Sequence, residues 1–262
     1  MKRIFVDSYG VDAAIMQDIG MEAKGLEFAE YVSKESLAQQ GGFGLALKGP
    51  QHDEAWLIFL DMVHNLMPTF EQKAEALHWF PMFRTWFGLC GLCKLPWNDI
   101  VPEDNKDSDD PAKVIKHVEW YTEYFTAVTG RSVTPDDLIT MSEVVYNFQR
   151  IFNLKMGYGR REHDNIPYRA MGPVTVIEYE SRKERYDKQL EEKYDVDITG
   201  KTTEEKTTLL RKFRIEQYEK LKDAVYNRRG WTYDGIPTLE TVRRLGIDFP
   251  DVIELLNSHS EE

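Results

Sequence analysis

Cys90 and Cys93 are the only cysteines in the chain, three positions apart in Gly88-Leu89-Cys90-Gly91-Leu92-Cys93. A thiolate is a soft ligand, suited to zinc, iron–sulfur clusters or disulfide exchange. A structural zinc site needs two further ligands, and the sequence holds no second cysteine pair. A thioredoxin-like exchange centre needs a strand–helix–strand setting that the surrounding pattern lacks. Taken alone, the residues leave two readings open. One is a pair of buried, inert thiols, since free cysteine is among the most buried residue types. The other is a thiolate offered to a bulky ligand, with Gly88 and Gly91 letting the backbone approach it and present amides to anionic groups.

His52 follows the glycine-broken stretch from Phe43 to Gln51, ahead of a helix expected to begin near Asp53. A histidine at such a junction can donate a proton, because its pKa is easily moved; a capping or surface role is the competing reading. His64, His78, His117 and His259 read as structural or exposed. Residues 98–111 form an acidic loop without the glycine and terminal glutamate of an EF-hand, and read as solvated. Residues 157–169 carry glycine and charge but neither follow a strand nor show P-loop spacing, and read as a loop braced by Arg–Asp pairs.

The elements that must position these groups read as helices. Residues 112–128 place Val114, Val118, Tyr121, Phe125 and Val128 at helical spacing, between Asp110-Pro111 and Gly130. Thr134-Pro135-Asp136-Asp137 supplies an N-cap, a proline at the first helical position and two acids at the positive end of the helix dipole. Leu138, Met141, Val145, Phe148 and Phe152 then form one apolar stripe. Thr202 and Glu205 match a capping box for a charged helix running to Arg229 and stopped by Gly230, and Pro237-Thr238 opens a short helix ended by Gly246. Residues 175–229 alternate Lys, Arg and Glu with Tyr, which suggests an exposed helix pair. No convincing period-two stretch appears, so the fold class is all-α.

A net charge of −12 argues against nonspecific nucleic-acid binding, which needs a basic surface. No apolar run is long enough to cross a bilayer, and the Met1-Lys2-Arg3 start lacks the apolar stretch of a secretory signal. Together with the sparse cysteines, this suggests a reducing, cytoplasmic setting. No internal repeat is evident.

The order of the short motifs resembles the last domain of the aldehyde ferredoxin oxidoreductase family. Ala23-Lys24-Gly25-Leu26-Glu27 comes first, then Gly44-Leu45-Ala46 leading to His52, then the Gly-Leu-Cys element at 88–93. Thr129-Gly130 with Val133 to Leu138, Ile151 to Asn153, and Gly157 to Arg169 (with Asp164-Asn165-Ile166-Pro167) follow. Arg229 to Thr238 and Leu245-Gly246 close the series, which covers the chain from about residue 20 onward.

That resemblance implies a C-terminal helical domain over 21–262, with a charged helical insert at about 175–229, preceded by a remnant or linker over 1–20. It implies tungsten or molybdenum held by two pyranopterins beside a [4Fe-4S] cluster, in an enzyme whose N-terminal pterin-binding and cluster-binding domains lie outside this chain. The chain would then be an excised domain, one subunit of a split enzyme, or a truncated product. Cys93 corresponds to the fourth cluster ligand, with Gly91, Leu92 and Lys94 beside the cofactors. In the alternative register Cys90 is the ligand, preceded by Gly88 and Leu89. The family's motif acid is absent in either register, its place taken by Thr85 or Gly88. His52 falls where the family has a proton-handling histidine. The implied reaction is oxidation of an aldehyde to a carboxylic acid with ferredoxin or an iron–sulfur electron-transfer subunit as partner. A sub-branch instead reduces the ring of aromatic acyl-CoA thioesters such as benzoyl-CoA. Trp86, Phe87 and Trp97 around the cysteines, and the missing acid, suit the drier site that this sub-branch needs. The alternative is a cofactor-free helical scaffold descended from the same domain.

Overall fold

The computed structural model describes residues 20–28, 34–51, 53–93, 105–113 and 115–259, so residues 1–19, His52, Lys94 and Trp97 lie outside the described residues. Helices carry the chain, as the all-α reading expects. The departures among the described residues are an isolated bridge between Trp231 and Pro237 and a hairpin of β1 (Glu22–Ala23) with β2 (Leu26–Glu27). Strands of two residues are too short to show an alternating pattern. Their turn is made by Lys24 and Gly25 at φ 55° and 73°, the left-handed pair that a two-residue hairpin favours.

Ser36 caps α1 (Leu37–Gly44) by accepting from the Gln39 amide at 3.0 Å, and its hydroxyl donates to Asp61 at 2.6 Å. The helix lies hard against its neighbours. A Cβ on Gly44 would stand 1.8 Å from the Tyr218 hydroxyl, so only glycine fits there. The helix expected near Asp53 does not form. The side-chain oxygen of Gln39 accepts from the amides of Leu57 and Ile58 at 2.7 and 3.0 Å, and its nitrogen donates to the Ala55 carbonyl at 3.1 Å. The backbone here is satisfied from α1, and helical geometry resumes only with the π-helical turn Phe59–Val63.

α2 (Phe70–Leu89) starts at a capping box of Thr69 and Gln72 and runs through the middle of the core. It buries Ala74, Leu77, Phe80, Met82, Phe83 and Trp86, residues that point in every direction around the helix. Pro81 interrupts it without ending it. Proline has no N–H to give the carbonyl four residues earlier, and that carbonyl, Leu77, accepts instead from the buried Arg229 guanidinium at 2.9 Å.

α3 (Ile115–Thr129) packs on α4 (Pro135–Lys155), and α4 packs on α2, with Thr134 and Asp137 making the capping box of α4. The apolar stripe read on α4 is only half a core face. Leu138 is buried, but Phe148 and Phe152 are 46% and 58% exposed. The face that turns inward instead holds Ser142, Tyr146, Asn147, Arg150, Ile151 and Leu154. Arg150 fixes that rotation: it bonds Asp164 at 3.0 Å and the Gly235 carbonyl at 2.8 Å. Val128, read as part of the α3 stripe, is also exposed.

The charged segment 175–229 corrects the exposed helix pair. α5 (Val176–Glu180) and α6 (Lys183–Lys188) fold onto α7 (Thr203–Arg229) around a small core of Tyr179, Tyr186, Leu190 and Leu210. α7 is a central helix that buries Arg211, Arg214, Tyr218, Lys222, Tyr226 and Arg229. Long cationic side chains bury their stems while their heads find partners; Arg214, for example, holds Glu35 at 2.9 Å. Gly230 ends α7 at φ 66°. α8 (Leu239–Arg244) and α9 (Pro250–Ser258) then pack on Ile151 and Leu154 of α4 in a second core. Among the described residues, no helix is long and apolar enough to cross a membrane.

Candidate functional site

The cysteine motif is the C-terminus of α2. The Leu92 amide donates to the Phe87 carbonyl at 3.3 Å and the Gly91 amide to the Gly88 carbonyl at 3.0 Å. Those two bonds make a Schellman stop, whose left-handed residue is Gly91 at φ 69°. Glycine at 91 is therefore required by the turn itself. Among the described residues, nothing lies within 4 Å of a Cβ built there. Every residue from Gly88 to Cys93 is exposed, including both thiols. The buried-and-inert reading of the cysteines is thereby corrected. A helix end cannot bury its last carbonyls without partners, and here the core stops at Trp86 and Phe87.

Residues of the cysteine motif line two different cavities. Cys90 and Leu92 line an apolar cavity of about 480 Å³ with Trp86, Tyr121, Tyr124 and Val128. Partial burial there pushes the Cys90 thiol up from its ordinary pKa. Gly88 and Leu89 instead line a second, polar cavity of about 310 Å³ with Lys48, Glu54, Arg84 and Gln149. Trp86 and Phe87 pack on Tyr121, with ring centroids 4.7 and 5.9 Å away, so both serve the core as well.

The polar cavity holds charges that the sequence reading did not single out. Asp53 is buried and paired with Lys48 at 2.9 Å and Arg84 at 3.6 Å. Glu54 accepts from the Leu47 amide at 3.2 Å, and burial pushes its carboxyl above the ordinary range. Their only sequence signal was adjacency to His52. Thr85, at the position of one absent motif acid, turns its hydroxyl back to the Pro81 carbonyl at 2.8 Å. Among the described residues, no three His, Cys, Asp or Glu side chains come together to hold a metal ion.

The loop 157–169 is braced by acid–base pairs as read. Arg161 holds Glu219 at 2.7 Å and Asp223 at 2.6 Å. At the centre Asp164 is fully buried between Arg150 at 2.8 Å and Lys24 at 3.0 Å. Burial alone would push its carboxyl up, but the Arg150 guanidinium and Lys24 amine hold it well below the usual carboxylate range. Lys24 thus pins the hairpin to the core, and this centre is structural. The acidic loop exposes Asp107 and Asp109, while Asn105 at its base is buried and donates to the Pro111 and Lys113 carbonyls at 3.1 and 3.2 Å.

A family model described as aldehyde ferredoxin oxidoreductase, domains 2 & 3, matches residues 5–247 of the chain. No curated protein matches it.

Proposed function

Since the chain belongs to the aldehyde ferredoxin oxidoreductase family, we propose that it supplies one thiolate and one wall of the active site in a tungsten- or molybdenum-pterin, iron–sulfur oxidoreductase. The carrying observation is the exposed end of α2, where two thiols and a glycine turn stand beside a cavity lined by Lys48 and Arg84. The donor set fits such cofactors. A thiolate suits an iron–sulfur cluster, and Lys48 and Arg84, which share the Asp53 carboxylate, leave one net positive charge for an anionic group. The remaining ligands would come from the family's pterin-binding and cluster-binding domains.

Cys93 is the better cluster ligand of the two, because Cys90 faces an apolar cavity that disfavours its thiolate. Gly91 and Leu92 present backbone to the cofactors, with Gly88 and Leu89 at the edge of the polar cavity, where Lys48 and Arg84 share Asp53 and leave one net positive charge. The bound metal and cluster would supply the two-electron redox chemistry. The chain's own part is to position the cluster through one thiolate, screen the site from water and handle protons along the polar cavity. His52 and Lys94 keep the roles that the family resemblance implies. The reaction we favour is aldehyde plus water to carboxylic acid, releasing two protons and two electrons to ferredoxin. Ring reduction of an aromatic acyl-CoA is the second reading, favoured by the apolar cavity beside Cys90.

Cys93→Ser and Cys90→Ser in the natively assembled enzyme test the assignment through iron content. Cys93→Ser should lose most of the cluster iron while Cys90→Ser keeps it. The opposite result moves the ligand to Cys90, and full iron in both variants removes the chain from the cluster.

A further inference from the structure

Glu54 is an acid in the wall of the polar cavity that no step above uses. It shares that wall with Lys48, Arg84, Gly88 and Gln149, yet it is only 6% exposed. The neighbouring Asp53 takes both nearby cations, Lys48 and Arg84. The hydrogen-bond partners of Glu54 are neutral. One of its oxygens accepts from the Leu47 amide at 3.2 Å, and the Tyr146 hydroxyl stands 3.5 Å from the same oxygen. That hydroxyl donates to the Leu45 carbonyl at 3.2 Å.

We propose that Glu54 is the group through which the cavity exchanges a proton with the bound substrate in each turnover. This rests on the redox reading of the preceding subsection. Both reactions considered there move two protons with two electrons. In the oxidative direction, water and an aldehyde become a carboxylic acid while two electrons leave to an iron–sulfur acceptor. One released proton forms the O–H bond on the Glu54 carboxylate and then passes to solvent. In the reductive direction the Glu54 O–H bond breaks, its proton is delivered to the substrate, and the electrons come from the same class of partner.

The surroundings suit a group that changes charge. Burial raises the pKa of Glu54, Lys48 and the Leu47 amide lower it, Asp53 raises it again and Arg229 lowers it, with a net upward displacement. A proton carrier works best when its pKa approaches the working pH. A purely structural acceptor for the Leu47 amide would not need to be an acid, and glutamine would serve equally.

Glu54→Gln keeps that acceptor and removes the proton. In the assembled enzyme it should retain wild-type metal and iron and nearly unchanged KM, while kcat falls by about 10²-fold. Wild type should show a kcat inflection above the ordinary glutamate range, and that inflection should vanish in the variant. A loaded Glu54→Gln enzyme with wild-type kcat and pH profile overturns the proposal alone. Wild-type enzyme without tungsten, molybdenum or iron overturns the redox reading, and the proposal with it. Should Glu54→Gln fail to assemble, Glu54→Asp retains an acid and reads the same profile. A displaced inflection supports the proposal and an unmoved one contradicts it.

Discussion

At the scale of single residues, burial divides this chain's ionisable groups into paired and neutral ones. Asp164 stays charged in the core because Arg150 and Lys24 flank it. His78 takes the other course: burial first, and the Arg229 charge second, push its pKa down to about 4. The folded value lies below the unfolded one, so between them the unfolded chain binds more protons. Stability that His78 leaves intact at neutral pH is therefore lost as pH falls from about 6.5 to about 4. His78→Gln should shrink the wild-type decline across that window by roughly 1–3 kcal/mol, measured by urea unfolding at several pH values. Equal declines in both proteins would show that His78 protonates freely in the fold. Residue type and spacing do not rank these groups. His78 read merely as structural, and Glu54 did not stand out, because burial is a property of the packed chain. The cysteines were visible from their type and spacing, but their exposure depended on where α2 ends.

Elements were legible where their signals are local. The caps at Thr134 and Thr202, the stops at Gly130, Gly230 and Gly246, and the short helix after Thr238 all fall where side-chain and glycine chemistry place them. α2 escaped that reading because it is apolar nearly all round and contains Pro81, so neither periodicity nor propensity marks it. What keeps it helical is tertiary: Arg229 on α7 fills the bond that Pro81 cannot make. Arg229→Met should cost about 2–4 kcal/mol, since it strands the Leu77 carbonyl in the core. Pro81→Ala restores an N–H four residues after Leu77, so the double variant should lose less than the sum of the single changes. Strict additivity in that urea-denaturation cycle would contradict the link. The polar inward face of α4 has a similar tertiary cause, since only the distant Asp164 and Gly235 explain why Arg150 points inward.

On the scale of the whole molecule, the all-α class followed from the periodicity of the helices, and the order of short motifs carried the family resemblance. The surface completes that picture. The polar cavity and the exposed Phe148 and Phe152 adjoin through Lys48 and Gln149, and the exposed cysteine motif lends residues to both the polar and the apolar cavity. An apolar and cationic surface of that kind suits a domain that closes over cofactors held by its neighbours. The most direct test is metal and iron analysis with a visible spectrum on the enzyme containing this chain, purified from its source without oxygen. The expected result is tungsten or molybdenum together with about four irons per complex and a pterin-binding polypeptide in the same particle. A colourless protein free of metal and pterin would contradict it, and would make the chain a helical scaffold that keeps the family's fold without its chemistry.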